Sequence, residues 1–135
     1  MSAFNKVNAA LITKLDVATL TDELGGSYIY HQQAPDQQAR PYVVFSLAAG
    51  GDENQTPSRM KDLLYFVRAY ADTAKEAGEI DAIIDGLLHN QELSITGWAN
   101  YWLAREDDLS DIENAKSGEK IHMTGANYRM RLSQN

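Results

Sequence analysis

The stretch that decides the fold is Arg59-Met60-Lys61-Asp62-Leu63-Leu64-Tyr65-Phe66-Val67-Arg68-Ala69-Tyr70-Ala71. It contains no Gly or Pro and reads with a period of two, the repeat of a β-strand. Leu63, Tyr65, Val67 and Ala69 fall on one face, and Leu64, Phe66, Arg68 and Tyr70 on the other. A strand with one wet side would carry small polar residues there. Bulk on both sides predicts that neither face simply meets water.

Working outward, Asp72 is the expected cap of a helix from about 73 to 88. Ala77, Ile80, Ile84, Leu87 and Leu88 form its buried stripe, and Glu76, Glu79, Asp81 and Asp85 its solvated side. Upstream, Tyr42 to Ala49 is aromatic and β-branched without a breaker, hence a strand. The residues between, 50–58, have almost nothing to bury and predict a mobile loop. Pro35 and Pro41 exclude helix from the polar stretch before Tyr42, and Ser27–His31 reads as a short β segment. At the start, Phe4, Val7, Leu11 and Leu15 recur at helical spacing. Residues 16–24 add a short second helix, stopped at Gly25-Gly26. Downstream, the chain reads β from Leu93, breaks at Gly97, and carries Trp98, Tyr101 and Trp102. Residues 106–119 predict a second mobile loop, with five acids between Glu106 and Glu113, and Lys120 to Leu132 closes as a strand.

The expected fold is therefore α+β, one domain over 1–135. Its sheet of four to five strands is antiparallel or mixed, with two main helices on one face.

Composition narrows the function. The 135 residues include 12 Lys and Arg against 19 Asp and Glu, a formal charge of −7. A protein that binds the phosphate backbone releases counterions by presenting clustered cations, which this balance opposes. With no Cys, thiolate nucleophiles, disulfides and Cys-ligated metals are excluded. The first residues lack the apolar core of a signal peptide, and no run is long enough to span a bilayer.

Site chemistry finds little support. His31, His89 and His122 form no His-x-x-x-His or His-x-Glu pair. The acids of 106–113 lack the alternating ligands and turn glycine of an EF-hand, so a solvated hairpin tip is the simpler reading. The glycine doublets match no phosphate-binding pattern, and no serine sits in a nucleophile elbow. Trp98, Tyr101 and Trp102 beside Arg105 could stack on bases, but in an acidic chain they are better explained as core or oligomer contact.

A resemblance runs through these elements over roughly residues 6–132. The initial helix with its Gly stop, Ala34-Pro35 ahead of Pro41-Tyr-Val-Val-Phe45, the strand ending Phe66-Val-Arg-Ala-Tyr-Ala-Asp72 that feeds a helix, and the closing Tyr128-Arg-Met-Arg-Leu132 resemble the tail completion and tail terminator proteins of long-tailed bacteriophages. The resemblance implies a structural virion protein that caps the head-proximal end of the tail tube as a ring, ends tube polymerisation and joins tail to head. It implies assembly in the bacterial cytoplasm and a self-partnered, hexameric ring that meets the major tail tube protein and a head–tail connector. DNA would pass through without specific binding, and no membrane is involved. No cofactor, catalytic residue or metal ligand comes with it. Another neck component, such as a head-completion or connector adaptor, is the nearest alternative; an enzyme or small-ligand module is the alternative of another class. Leu64, Phe66, Arg68, Tyr70, Arg59 and Gln55 are the expected interface residues with a neighbouring subunit or the tube.

The geometry permits such a ring. A chain of this length has a radius of gyration of about 14 Å, hence a spherical diameter of about 37 Å. Six such spheres enclose a hole of about 37 Å, whereas five leave only about 26 Å, tight for a hydrated duplex. An acidic bore would keep DNA from sticking.

Overall fold

Alternation along the central segment becomes β3, Met60–Ala71. Leu63, Tyr65, Val67, Ala69 and Ala71 are buried, and Leu64, Phe66, Arg68 and Tyr70 only partly so. These observations come from a computed structural model, which describes residues 3–36, 38–53, 59–115 and 118–135. The other elements are α1 (Ala3–Leu15), α2 (Ala18–Leu24), β1 (Ile29–His31), β2 (Tyr42–Glu53), α3 (Ala74–Leu88), β4 (Trp98–Asn114) and β5 (Lys120–Gln134). The sheet order is β1-β2-β3-β5-β4. Only β1 pairs parallel, with β2, and the other neighbours are antiparallel. The fold is α+β with a mixed, mostly antiparallel sheet.

Because β5 inserts between β3 and β4, the unit β3–α3–β4 is a split crossover that lays α3 across the sheet. The helices all pack on one face. Val7, Leu11 and Leu15 of α1, Leu20 and Leu24 of α2, and Ile80, Ile84 and Leu88 of α3 meet Phe45, Tyr65, Val67, Tyr128, Met130 and Leu132 in one core. The buried Asn8 of α1 accepts a hydrogen bond from the Tyr65 hydroxyl at 2.8 Å, which satisfies a polar group inside that core. Gly25 ends α2 at φ 83°, the left-handed conformation that a Cβ disfavours.

In both segments read as loops the first part is strand, over 50–53 and 106–114, while 54–58 and 116–117 lie outside the described residues. β2 runs on through Gly50, Gly51, Asp52 and Glu53, paired with Leu63, Asp62, Lys61 and Met60. β4 takes in 106–114, paired with β5. Polar composition misleads here because the ladder needs only backbone groups, and several of the acids find basic partners on the same or a neighbouring strand. Asp52 binds Lys61 at 2.7 Å and Arg59 at 2.9 Å, Glu106 binds Arg129 at 2.8 Å, and Asp108 binds Arg105 at 2.7 Å. Gly50 also makes room for Leu63, whose Cδ2 would lie 2.6 Å from an added Cβ. In the other direction, Leu93 and Ile95 are buried but precede the strand, which starts at Trp98 after a turn at Gly97.

Two expectations for α3 are corrected. Its N-cap is Thr73, whose hydroxyl accepts from the Glu76 amide at 3.1 Å, while Asp72 pairs with Arg40 at 2.6 Å. Asp81 is not solvated: it is buried under Arg105 of β4, which donates to its two oxygens at 3.1 and 2.9 Å. Arg105 also donates to the Tyr128 hydroxyl at 3.2 Å and lies 3.8 Å from Asp85. This forked pair ties α3 to β4 over the core. Arg105→Met leaves Asp81 as an uncompensated buried charge and should cost about 3–5 kcal/mol in urea unfolding. Adding Asp81→Leu should recover most of it. A loss under about 1 kcal/mol in the single variant contradicts the role.

His31 lies between the rings of Phe4 at 5.5 Å and Phe45 at 5.3 Å, where α1 meets the sheet. Burial lowers its pKa from the usual 6.5. Since the unfolded chain then binds the proton first, stability is complete above the unfolded value and declines as pH falls below it. The urea midpoint should drop between about pH 7 and about pH 5, and His31→Gln should flatten that dependence. An equal drop in both proteins assigns it to other groups.

Candidate interaction face

The three helices cover one face of the sheet, so the other receives no second layer among the described residues. Its centre is the four-residue row of β3, and register supplies the rest. Tyr70 stands opposite Tyr42 and Met123, Arg68 opposite Val44 and Gly125, and Phe66 opposite Ser46 and Asn127. Val44 and Met123 are buried yet lie outside the core cluster, because they pack within this second face.

Arg68 is the unusual member. Its guanidinium stacks over the Phe66 ring, 4.0 Å from the centroid, and its Nε is buried with no hydrogen-bond partner among the described residues. A buried donor without an acceptor is costly. The side chain lies flat because residue 125 is glycine. A Cβ there would stand 2.4 Å from the Val67 carbonyl oxygen and 3.1 Å from Arg68 Cγ.

Toward the β2–β3 hairpin the face becomes aromatic and charged. A register shift between Asn100 and Trp102 leaves Tyr101 and Trp102 about half exposed, at 47% and 50%. Arg131 reaches over Trp102, 5.8 Å from the ring centroid. Burial, and then Glu53, raise the Tyr101 hydroxyl's pKa against the opposing Arg131, which places Tyr101 in this group. Arg129 is held by Asp62 at 3.0 Å and Glu106 at 2.8 Å. Toward the other end, Tyr42 stacks on Tyr70 at 5.1 Å with 21° between the rings.

Of the six residues singled out from sequence, Leu64, Phe66, Arg68 and Tyr70 form one row. Arg59 is elsewhere: it binds Asp52, on the side of the hairpin that also carries Lys61. Gln55 lies outside the described residues. Sequence reading missed Tyr42, Val44 and Met123, whose place follows from register, and it gave Trp98, Tyr101 and Trp102 one role. Trp98 is core; Tyr101 and Trp102 are not. The arrangement offers stacking, apolar contact and one unmet donor, which are the means of binding a surface. Among the described residues no three His, Cys, Asp or Glu side chains gather to hold a metal ion.

Comparison with known proteins agrees with that character. The family model described as tail completion protein gp17 matches residues 5–133. A chain from the virion of a native gene transfer agent (GTA) particle shares the fold with a TM-score of 0.75 and 17% sequence identity, over 98% of each chain. No curated protein sequence matches.

Gly125→Ala forces the Val67 backbone or Arg68 to move and should destabilise the chain by about 1–3 kcal/mol, read as a lower thermal midpoint. An unchanged midpoint shows that the close approach is not required.

Proposed function

The chain belongs to the tail completion protein gp17 family, structural proteins of the phage tail, and from that premise we propose that it caps the head-proximal end of the tail tube as a ring. The ring ends tube polymerisation and joins tail to head. Its neighbours are further copies of the same chain, the major tail tube protein below and the head–tail connector above. Assembly takes place in the cytoplasm of the bacterial host, and six-fold symmetry fits the hole that a chain of this size encloses.

The uncovered sheet face carries this reading. A two-layer domain ordinarily buries one sheet face and leaves the other polar. Here the second face holds Leu64, Phe66, Tyr70, Val44 and Met123 around an arginine with an unmet donor. That composition suits contact with protein. It suits a water-filled ring lumen less, because an apolar and aromatic face lining the bore would stay exposed. The surplus of acids elsewhere gives the rest of the surface the sign that repels a passing duplex. A connector adaptor would be more helical, and more residues of this chain lie in strands than in helices.

The double variant Leu64→Glu, Phe66→Glu places two carboxylates in the contact. Negative-stain electron microscopy of the wild type over a concentration series, alone and with tail tubes, should show rings with an opening of about 4 nm. The variant should give folded monomers, with unchanged circular dichroism, that neither form rings nor cap tubes. Normal rings from the variant reject this face as the subunit contact.

A further inference from the structure

At one end of the uncovered face, residues 32–36 and 38–40 lie on one side of the stacked Tyr42 and Tyr70, and Glu113, Ala115 and Glu119 on the other. They enclose an open groove of about 820 Å³. Its floor is Tyr42, Val44, Tyr70 and Ile121, and Ala34 and Pro35 add apolar surface on one wall. Tyr30 meets Tyr42 edge-on at 6.4 Å, and its hydroxyl donates to Gln38 Oε1 at 2.6 Å. The walls are tied together by Arg40, which binds Asp72 and Glu119, each at 2.6 Å. The groove is thus preformed: the chain's own contacts hold both walls.

Its charge is one-sided. Asp36, Asp72, Glu113 and Glu119 line it, against Arg40 as the one basic side chain among the described residues of the lining. Arg40 is committed to Asp72 and Glu119, and among the described residues no basic side chain pairs with Asp36 or Glu113. An aromatic floor with an acidic rim complements a cationic side chain, whose guanidinium or ammonium stacks on tyrosine while its charge meets carboxylates. Length and openness suit a segment without secondary structure of its own, and proline-containing extended chains dock on aromatic grooves of this kind.

We infer that this groove receives an extended, arginine- or lysine-bearing segment of a neighbouring protein. Placing that neighbour in the virion rests on the role proposed above; the groove and its chemistry do not. One turn of the segment packs on Tyr42 and Tyr70, and its cations meet Asp36 and Glu113.

The test is a titration of the intact chain, at a concentration where it is monomeric, with a short peptide of alternating arginine and proline. Its counterpart of glutamate and proline is the control, and amide chemical shifts report the site. Saturable binding with shifts at Tyr30, Tyr42 and Tyr70 is expected for the basic peptide alone. Asp36→Asn with Glu113→Gln should weaken it about tenfold. Glu76→Gln with Glu79→Gln, which removes as much charge from α3, should change it less than about twofold. Tyr70→Leu should weaken it while leaving the fold intact by circular dichroism. Equal losses in the two acid variants would mean general attraction to an acidic protein and overturn the site, as would no binding at low salt. Self-association suppressed by Asp36→Asn with Glu113→Gln would replace the partner with a second copy and overturn the choice of occupant. Tube capping is scored on the same samples: capping without peptide binding overturns the groove alone, whereas peptide binding without capping upholds the groove and removes the virion as its setting.

Discussion

Everything in this chain follows from the two-sidedness of β3. It is hydrogen-bonded on both edges, and its alternation sends Leu63, Tyr65, Val67 and Ala69 into the core. Period two then obliges Leu64, Phe66, Arg68 and Tyr70 to emerge together on the opposite side. The connection through α3 returns to the same side as α1 and α2, so one face receives all the helices and the other none. Shifting the register by one residue would exchange the two rows, and Arg68 would enter the core. The fold therefore determines that an apolar row without a cover exists, and a virion ring is one way of covering it.

The two ends of that face differ in chemistry. Near the β4–β5 hairpin, tyrosines lie among acids, of which Asp36 and Glu113 pair with no basic side chain among the described residues. Near the β2–β3 hairpin, Tyr101 and Trp102 lie among arginines that are mostly paired. In between, the Arg68 guanidinium stacks on Phe66 and its buried Nε has no hydrogen-bond partner among the described residues. A subunit contact across the centre leaves both ends available to different partners. That suits the proposed ring, which would meet its own kind and something else.

Much of this was legible from sequence, for physical reasons. The helices declared themselves because their apolar residues recur at three and four, as Val7, Leu11 and Leu15 do. β3 declared itself because its alternation is uninterrupted. The extents of β2 and β4 did not, because Gly50–Glu53 and Glu106–Asn114 contribute backbone to the ladder and little to the core. Asp81 read as a wet acid since its partner, Arg105, arrives from β4 only in the folded chain. That Leu64, Phe66, Arg68 and Tyr70 share one face was legible for the same reason as the strand. Its flanks were not: Tyr42, Val44 and Met123 join it through cross-strand register, while Arg59 is drawn to the other side by Asp52.

The central claim is that this second face is covered in the assembled particle. Hydroxyl-radical footprinting of the free chain and of the chain within intact tails measures that coverage residue by residue. The account predicts that Phe66, Tyr70 and Leu64 become protected on assembly, while Phe4 and Ile12, exposed on α1, react as before. Protection confined to α1, with Phe66 and Tyr70 as reactive in the tail as in solution, would contradict it.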